Sequence, residues 1–513
     1  MGDNPLSGDR VATAWDSQPI AASGNPLVLP DEYWPEKSGT TVIRDVGEVD
    51  RKSNRDVPAP RGVRTATATA TATATLLRRS EIKSLACLCL CLAFWMAGIP
   101  NMLARFLGRS VEAVQNHKVS VPDRTLRLTK DGTFQISVFE DLHFAEDANK
   151  DLLTNKVMDY VLSKEKPQLV VINGDLVSGE ATQASNSNQY LDQVVSPLVK
   201  GGYLWASTYG NHDSNPNLDP RQDVYDQEKK YQNSLTQSLV SDSKAGITNY
   251  YLPVFSHGGS ESDTPVLLLW FFDSKGGREP TNRVSKRDSI VRPDWVDQSV
   301  VDWFTQTNSD LKDKYGKVVP SLAFYHIPAD AMRAYQDNGV DSHTAPGING
   351  ETVVQQGSGD GPYTGQDTTF MKALLNTSGL MATFSGHDHE NDWCFKWDGK
   401  TIAQDLSGNG INMCYGRHTG YGGYGSAARG GRQILLNEES LADEVETWIR
   451  LEDGTISAHV TLNASYGQDQ YSSVSHQVAA RMEGAGVSLD HSSSLIYMVY
   501  LWLPIVLVWQ WKH

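Results

Sequence analysis

The middle of the chain repeats one pattern, a short apolar run that ends in a polar cluster. Phe134–Phe139 alternates with period two and leads to Asp141-Leu142-His143. Gln168–Ile172 leads to Asn173-Gly174-Asp175, and Tyr203–Ser207 to Gly210-Asn211-His212-Asp213. Leu322–Tyr325 leads to His326, and Met381–Phe384 to Gly386-His387-Asp388-His389. Apolar runs of four to eight residues with glycine or polar punctuation read as buried strands. Between them, residues 147–164 and 294–310 read as helices, the second with Trp295, Val296, Val300, Trp303 and Phe304 at helical spacing. Strands alternating with helices predict an α/β fold with a largely parallel sheet. Ligand sites in such sheets form outside the carboxyl ends of the strands, so five polar clusters are expected to converge on one place.

Two further apolar runs lie outside this pattern. Residues 84–104 are uncharged and just meet the roughly 20 residues needed to cross a bilayer. Arg78 and Arg79 upstream favour a cytosolic N-terminus, which makes the run a signal anchor with the downstream chain luminal or extracellular. Residues 495–509 form a second run, roughly 22 Å long as a helix and so short of a full span. It reads either as a removed lipid-anchor signal or as a short membrane segment. Residues 1–83, with an alternating Thr-Ala tract from Thr65 to Thr75, read as a disordered low-complexity tail, and 468–494 as a linker.

Composition narrows the function. A chain of 513 residues with 39 % apolar content can bury a large core without disulfides. A net charge of −16 argues against a nucleic-acid partner, which needs a basic face. The five cysteines divide into Cys87, Cys89 and Cys91 inside the first apolar run and the distant pair Cys394 and Cys414. In an oxidising compartment that pair could form a staple after the last polar cluster, and the alternative is two free buried thiols. Asn376-Thr377-Ser378 and Asn463-Ala464-Ser465 are glycosylation sequons.

The five clusters supply Asp141, His143, Asp175, Asn211, His212, Asp213, His326, His387 and His389. Carboxylate, imidazole and amide donors without thiolate suit hard and borderline divalent metals. Two metals close together need a bridging ligand, and Asp175, preceded by a glycine that admits close backbone approach, suits that role. Each fragment alone is common in surface turns; their order, each after a strand, is what carries the signal.

The ordered set resembles the signature of the calcineurin-like metallophosphoesterase superfamily over roughly residues 127–462, with the domain itself taken as 127–467. The stretch from Arg417 to Gly425 resembles a loop of a fungal and plant branch related to the purple acid phosphatases. The resemblance implies a four-layer α/β/β/α sandwich of two mixed sheets, with a dinuclear metal site at the strand C-terminal ends. It further implies one metal on Asp141, His143, Asp175 and His389, and a second on Asp175, Asn211, His326 and His387. The purple enzymes owe their colour to a tyrosinate three residues after the bridging aspartate, and here that position is Ser178. The centre is therefore expected to be colourless, with its ions open among iron, manganese and zinc.

Such a centre would make hydroxide available for in-line attack on phosphorus. His212, held by neighbouring Asp213 or by backbone, would protonate the leaving oxygen, so these two residues are the catalytic candidates. The expected activity is a metal-dependent phosphoesterase, foremost a phosphomonoesterase. The alternatives are a phosphodiesterase or pyrophosphatase on nucleotides or lipids, and a catalytically silent membrane-tethered scaffold. Histidines outside the motifs, His257, His343, His459, His476 and His491, are expected to be solvated or structural. His418 stands between the two readings, and Asp273 reads as a structural turn.

Overall fold

The computed structural model describes residues 123–474 except 184, 219–220, 281–288, 360, 398 and 400–405. The expected tail, both apolar runs with Cys87, Cys89 and Cys91, most of the linker, His476 and His491 lie outside the described residues. Among the described residues no helix is long and apolar enough to cross a membrane.

In chain order the strands are β1 (Leu126–Arg127), β2 (Thr133–Phe139), β3 (Leu169–Asn173), β4 (Trp205–Thr208), β5 (Tyr250–Phe255), β6 (Leu267–Phe271), β7 (Arg278–Pro280), β8 (Ser289–Val291), β9 (Ser321–Phe324), β10 (Leu380–Ser385), β11 (Cys394–Lys396), β12 (Asn412–Tyr415), β13 (Gly430–Asn437), β14 (Val445–Leu451) and β15 (Ile456–Leu462). The helices are α1 (Ala148–Glu165), α2 (Ser187–Gly201), α3 (Arg221–Glu228), α4 (Gln298–Tyr315), α5 (Asp330–Asp337) and α6 (Thr368–Asn376). One sheet runs β1-β5-β6-β9-β10-β12-β11 and the other β15-β14-β13-β2-β3-β4, with β7 and β8 as a separate ribbon. Both large sheets are mixed. β2, β3 and β4 are parallel, as are β6, β9, β10 and β12, while β13, β14 and β15 add to β2 antiparallel.

Strand period sorts the apolar runs into layers. Leu169 and Val171 of β3 join Phe134, Ile136 and Val138 of β2 and meet Leu269, Phe271, Leu322, Phe324 and Phe384 of the opposite sheet in one core. The alternate residues Val170 and Ile172 face outward and are covered by Val157, Met158 and Val161 of α1 and Leu191, Val194 and Leu198 of α2. On the far side Leu268, Trp270 and Ala323 pack against Val300 and Phe304 of α4 and Phe370 and Leu374 of α6. A strand covered on both faces reads as a continuous apolar run, which is why β3 and β6 show no alternation. The result is the four-layer α/β/β/α arrangement.

Helix limits follow the caps. The Asp147 carboxylate accepts the Asn149 and Lys150 N–H groups and starts α1. Asp297 does the same for Ser299, so α4 begins at Gln298 rather than at 294, and Trp295 and Val296 lie in its lead-in. Cys394 and Cys414 stand directly opposite on antiparallel β11 and β12 and are disulfide-bonded, buried in the core between the sheets.

Candidate metal centre

The parallel registers bring the ends of β2, β3 and β4 side by side, with Phe139 beside Ile172 and Asn173 beside Thr208. The ends of β9 and β10 are likewise paired, Phe324 beside Phe384. Asn173 ties the two sheets at this end: its amide donates to the Tyr325 and Phe384 carbonyls and to Glu140, and its oxygen accepts from Thr208. The loops after β2 and β3 are then zipped by backbone bonds from Leu142 and His143 to the Asp175 carbonyl. Asp141, His143, Asp175 and His387 all adopt positive φ, at 54°, 48°, 50° and 78°. Left-handed backbone costs non-glycine residues about 1–3 kcal/mol each and persists where surrounding contacts impose it. Gly174, also at positive φ, abuts the His326 ring, where a Cβ would collide.

Three overlapping donor clusters result: Asp141, His143 and His389; His143, Asp175 and His212; and Asp175, His326 and His387. Asp175 is common to two of them. Its Oδ2 lies 3.1 Å from His326 Nε2 and 3.7 Å from His143 Nε2, while its Oδ1 accepts the His212 N–H at 2.8 Å. His389 Nε2 stands 3.7 Å from Asp141 Oδ1. Asn211 Oδ1 is buried with no hydrogen-bond partner, and His326 Nε2 makes no aligned hydrogen bond.

Hydrogen bonding assigns the ring protons. His389 Nδ1 faces the Tyr424 carbonyl and His326 Nδ1 the Asn173 carbonyl, both at 2.9 Å, so each Nδ1 must donate. Ser178 donates to Glu146, which leaves its oxygen to accept from His143 Nδ1 at 2.9 Å. All three rings thus turn Nε2 toward the centre. Burial and then the neighbouring histidines hold His143 well below its usual range, and burial takes His387 and His389 down to about 3, so these rings are neutral. Burial opposes charge on His326 too, but Asp175 outweighs it and lifts the ring to about 10. Imidazole nitrogens and two carboxylates converging in a buried space are the donor set of a divalent-metal site, the orphaned Asn211 amide oxygen beside His212 in the chain is a further donor of the same kind, and the residues fit two such ions sharing Asp175.

His212 is partly exposed at the rim, and its Nδ1 pairs with Glu180 Oε1 at 2.8 Å. The ring was expected to be held by neighbouring Asp213 or by backbone, and a third group, the Glu180 carboxylate, holds it instead. The Asp213 carboxylate is buried and accepts the Gly210 and Val177 N–H groups, one on each oxygen, so it braces the turn. Glu180 escaped sequence reading because it sits in a single 3₁₀ turn, Gly179–Ala181, with no periodic signal. Burial disfavours charge on His212, yet Asp175 and Glu180 prevail and push it up to about 9.

Asp273 is a structural residue as expected, with more consequence than a turn. It forms a buried ion pair with Arg221, whose guanidinium also donates to the Tyr209 and Gly210 carbonyls just before Asn211. His418 is buried with both ring nitrogens unpartnered and its ring centroid 3.9 Å from that of His389. His257 is exposed, His343 bonds the Tyr471 carbonyl and His459 pairs with Glu446, all apart from the donor clusters.

Residues 136–391 match the family described as calcineurin-like phosphoesterase. An Arabidopsis thaliana protein named "Probable inactive purple acid phosphatase 29" is 27 % identical over 388 residues, covering 69 % of this chain and 91 % of its own length. "Phosphatase DCR2" of Saccharomyces cerevisiae is 28 % identical over 363 residues, covering 66 % of this chain and 57 % of its own. A solved dimetal phosphatase from Danio rerio is 13 % identical, with a TM-score of 0.42, over 64 % of this chain and 98 % of that one.

Proposed function

From the premise that the chain belongs to the calcineurin-like phosphoesterase family, we propose that it is an active dinuclear metallophosphoesterase acting foremost on phosphate monoesters. The carrying observation is that the donor clusters around Asp175 come with His212 intact and held by Glu180 at the rim. A scaffold that kept metal for stability alone would have no use for that pair.

Asp141, His143, Asp175 and His389 would hold one ion, and Asp175, Asn211, His326 and His387 the other. When bound, the ions supply positive charge to phosphoryl oxygens and make hydroxide available near neutral pH. The chain's own residues do the rest. Asp175 orients His212 through the backbone N–H bond to its Oδ1. Glu180 accepts the hydrogen bond from Nδ1–H and so leaves Nε2 for the leaving oxygen, and the raised pKa keeps that nitrogen protonated as a general acid. Arg221 and Asp213 hold the Gly210–Asp213 turn that presents Asn211 and His212.

An oxidising, luminal or extracellular setting is supported by the Cys394–Cys414 bridge and by the outward placement of Asn376, with Asn463 half-exposed. Tethering rests on the apolar runs 84–104 and 495–509. The test is hydrolysis of an aryl phosphate and of the corresponding bis-aryl phosphate by the full-length protein, with and without chelator. Chelator-sensitive cleavage of the monoester supports the proposal, cleavage of the diester alone moves the assignment to phosphodiesterase, and cleavage of neither favours the scaffold.

A further inference from the structure

Two histidines of the first site are fixed by bonds that run through a single carboxylate. Glu146 lies three residues past His143, and its two oxygens are used separately. Oε1 accepts from Ser178, which accepts from His143 Nδ1. Oε2 accepts the Gly423 N–H at 2.9 Å from a loop 277 residues away. The next residue in that loop, Tyr424, gives its carbonyl to His389 Nδ1 and stacks its ring on His389 with centroids 4.0 Å apart. Gly423 is at positive φ, and a Cβ there would collide with the His389 ring and stand 2.9 Å from that of His143. The glycine-rich loop therefore lies flush on both imidazoles, and Glu146 is its latch.

We propose that Glu146 and Ser178 are positioning residues for the first metal ion: Glu146 couples the orientation of His143, through Ser178, to that of His389, through the 420–425 loop. The reasoning is that of a ligand's outer partner. An acceptor on Nδ1–H fixes the tautomer and the ring so that Nε2 faces the metal, and loss of that acceptor frees both tautomer and ring rotation. Ser178 occupies the position that resemblance assigns to a tyrosinate ligand in the purple enzymes. Here the hydroxyl is engaged between His143 and Glu146 and serves the histidine instead. Glu351 reinforces the same loop by accepting the Tyr424 hydroxyl at 2.7 Å and the Glu390 N–H at 2.5 Å.

The proposal rests on the two-ion reading and is tested apart from turnover. Full-length wild-type protein, Ser178→Ala and Glu146→Ala are loaded with manganese or zinc and dialysed against graded chelator, and metal per chain is measured by mass spectrometry. Wild type should hold two ions. Both variants should lose one of them at chelator strengths reporting about 10–100-fold weaker binding while retaining the other. Ser178→Thr, which keeps the hydroxyl, should restore wild-type retention, and cobalt-loaded samples should show a changed visible spectrum only in the alanine variants. Two ions held as in wild type by both alanine variants would overturn the proposal. Should Glu146→Ala fail to fold, Ser178→Ala with its threonine rescue decides alone. Wild type that holds no ion overturns the two-ion reading itself, a result distinct from the first.

Discussion

The Nε2 atoms of His143 and His389 face one another at 3.1 Å, and both belong to neutral rings whose protons are committed to Nδ1. Two lone pairs at that separation repel and cannot share a hydrogen bond, and a cation bound by both converts the repulsion into attraction. Metal should therefore stabilise the fold strongly. At a free ion concentration 100 times Kd the expected gain is about 2.7 kcal/mol, read as a rise in melting temperature on reloading chelated protein. An unchanged melting temperature would contradict this donor geometry.

Proton competition sets the acid limit of metal binding. Burial, with Asp175 adding to it against the pull of His326, holds the Asp141 carboxyl up to about 7 in the ion-free protein. A carboxylate must be deprotonated to ligate, so protons compete below that pH and not above it. Apparent affinity for the first ion should be flat above about pH 7 and fall about tenfold per unit below it, as measured by competition with a fluorescent chelator at each pH.

His212 is a rim residue rather than a ligand in the proposed set, so His212→Ala should retain both ions and lose about 10²–10⁴ in kcat. Unchanged turnover in a metal-replete variant would remove it from the mechanism.

Glu180 should act on the alkaline side of the profile. Its negative charge helps lift His212 to about 9, and the protonated ring is the acid, so activity falls as pH rises through the His212 value. Glu180→Gln lowers that value, and the alkaline limb should move to lower pH with the acid limb in place. A pH–rate profile of the two proteins decides it, and coincident alkaline limbs would refute the pairing as functional.

Arg221 is expected to matter for stability and for the second ion together. Its removal leaves Asp273 charged and buried without its partner, at a cost of about 3–5 kcal/mol. Arg221→Met should lower the urea midpoint accordingly and also weaken retention of the ion that Asn211 would hold, because the Gly210 carbonyl loses its donor.

The sequence by itself determined the donor chemistry and the alternation of strands with helices. Donor type is a property of the residue, and apolar runs ending in Asp141, Asp175, Asn211, His326 and His387 place those donors at strand ends whatever the loops do. The pairing of two sheets was legible only through the family resemblance, because β3 is apolar on both faces and its pattern does not say that one sheet covers Leu169 and helices cover Val170. The tertiary structure alone decided which acceptor holds each ring. His212 took Glu180, 32 residues away, over its neighbour Asp213 because Asp213 is spent on two backbone N–H groups. Glu146 reached Gly423 across 277 residues. Such pairings depend on where loops return and on left-handed backbone at Asp141, His143, Asp175 and His387, which is imposed by surrounding contacts and has no local sequence signal.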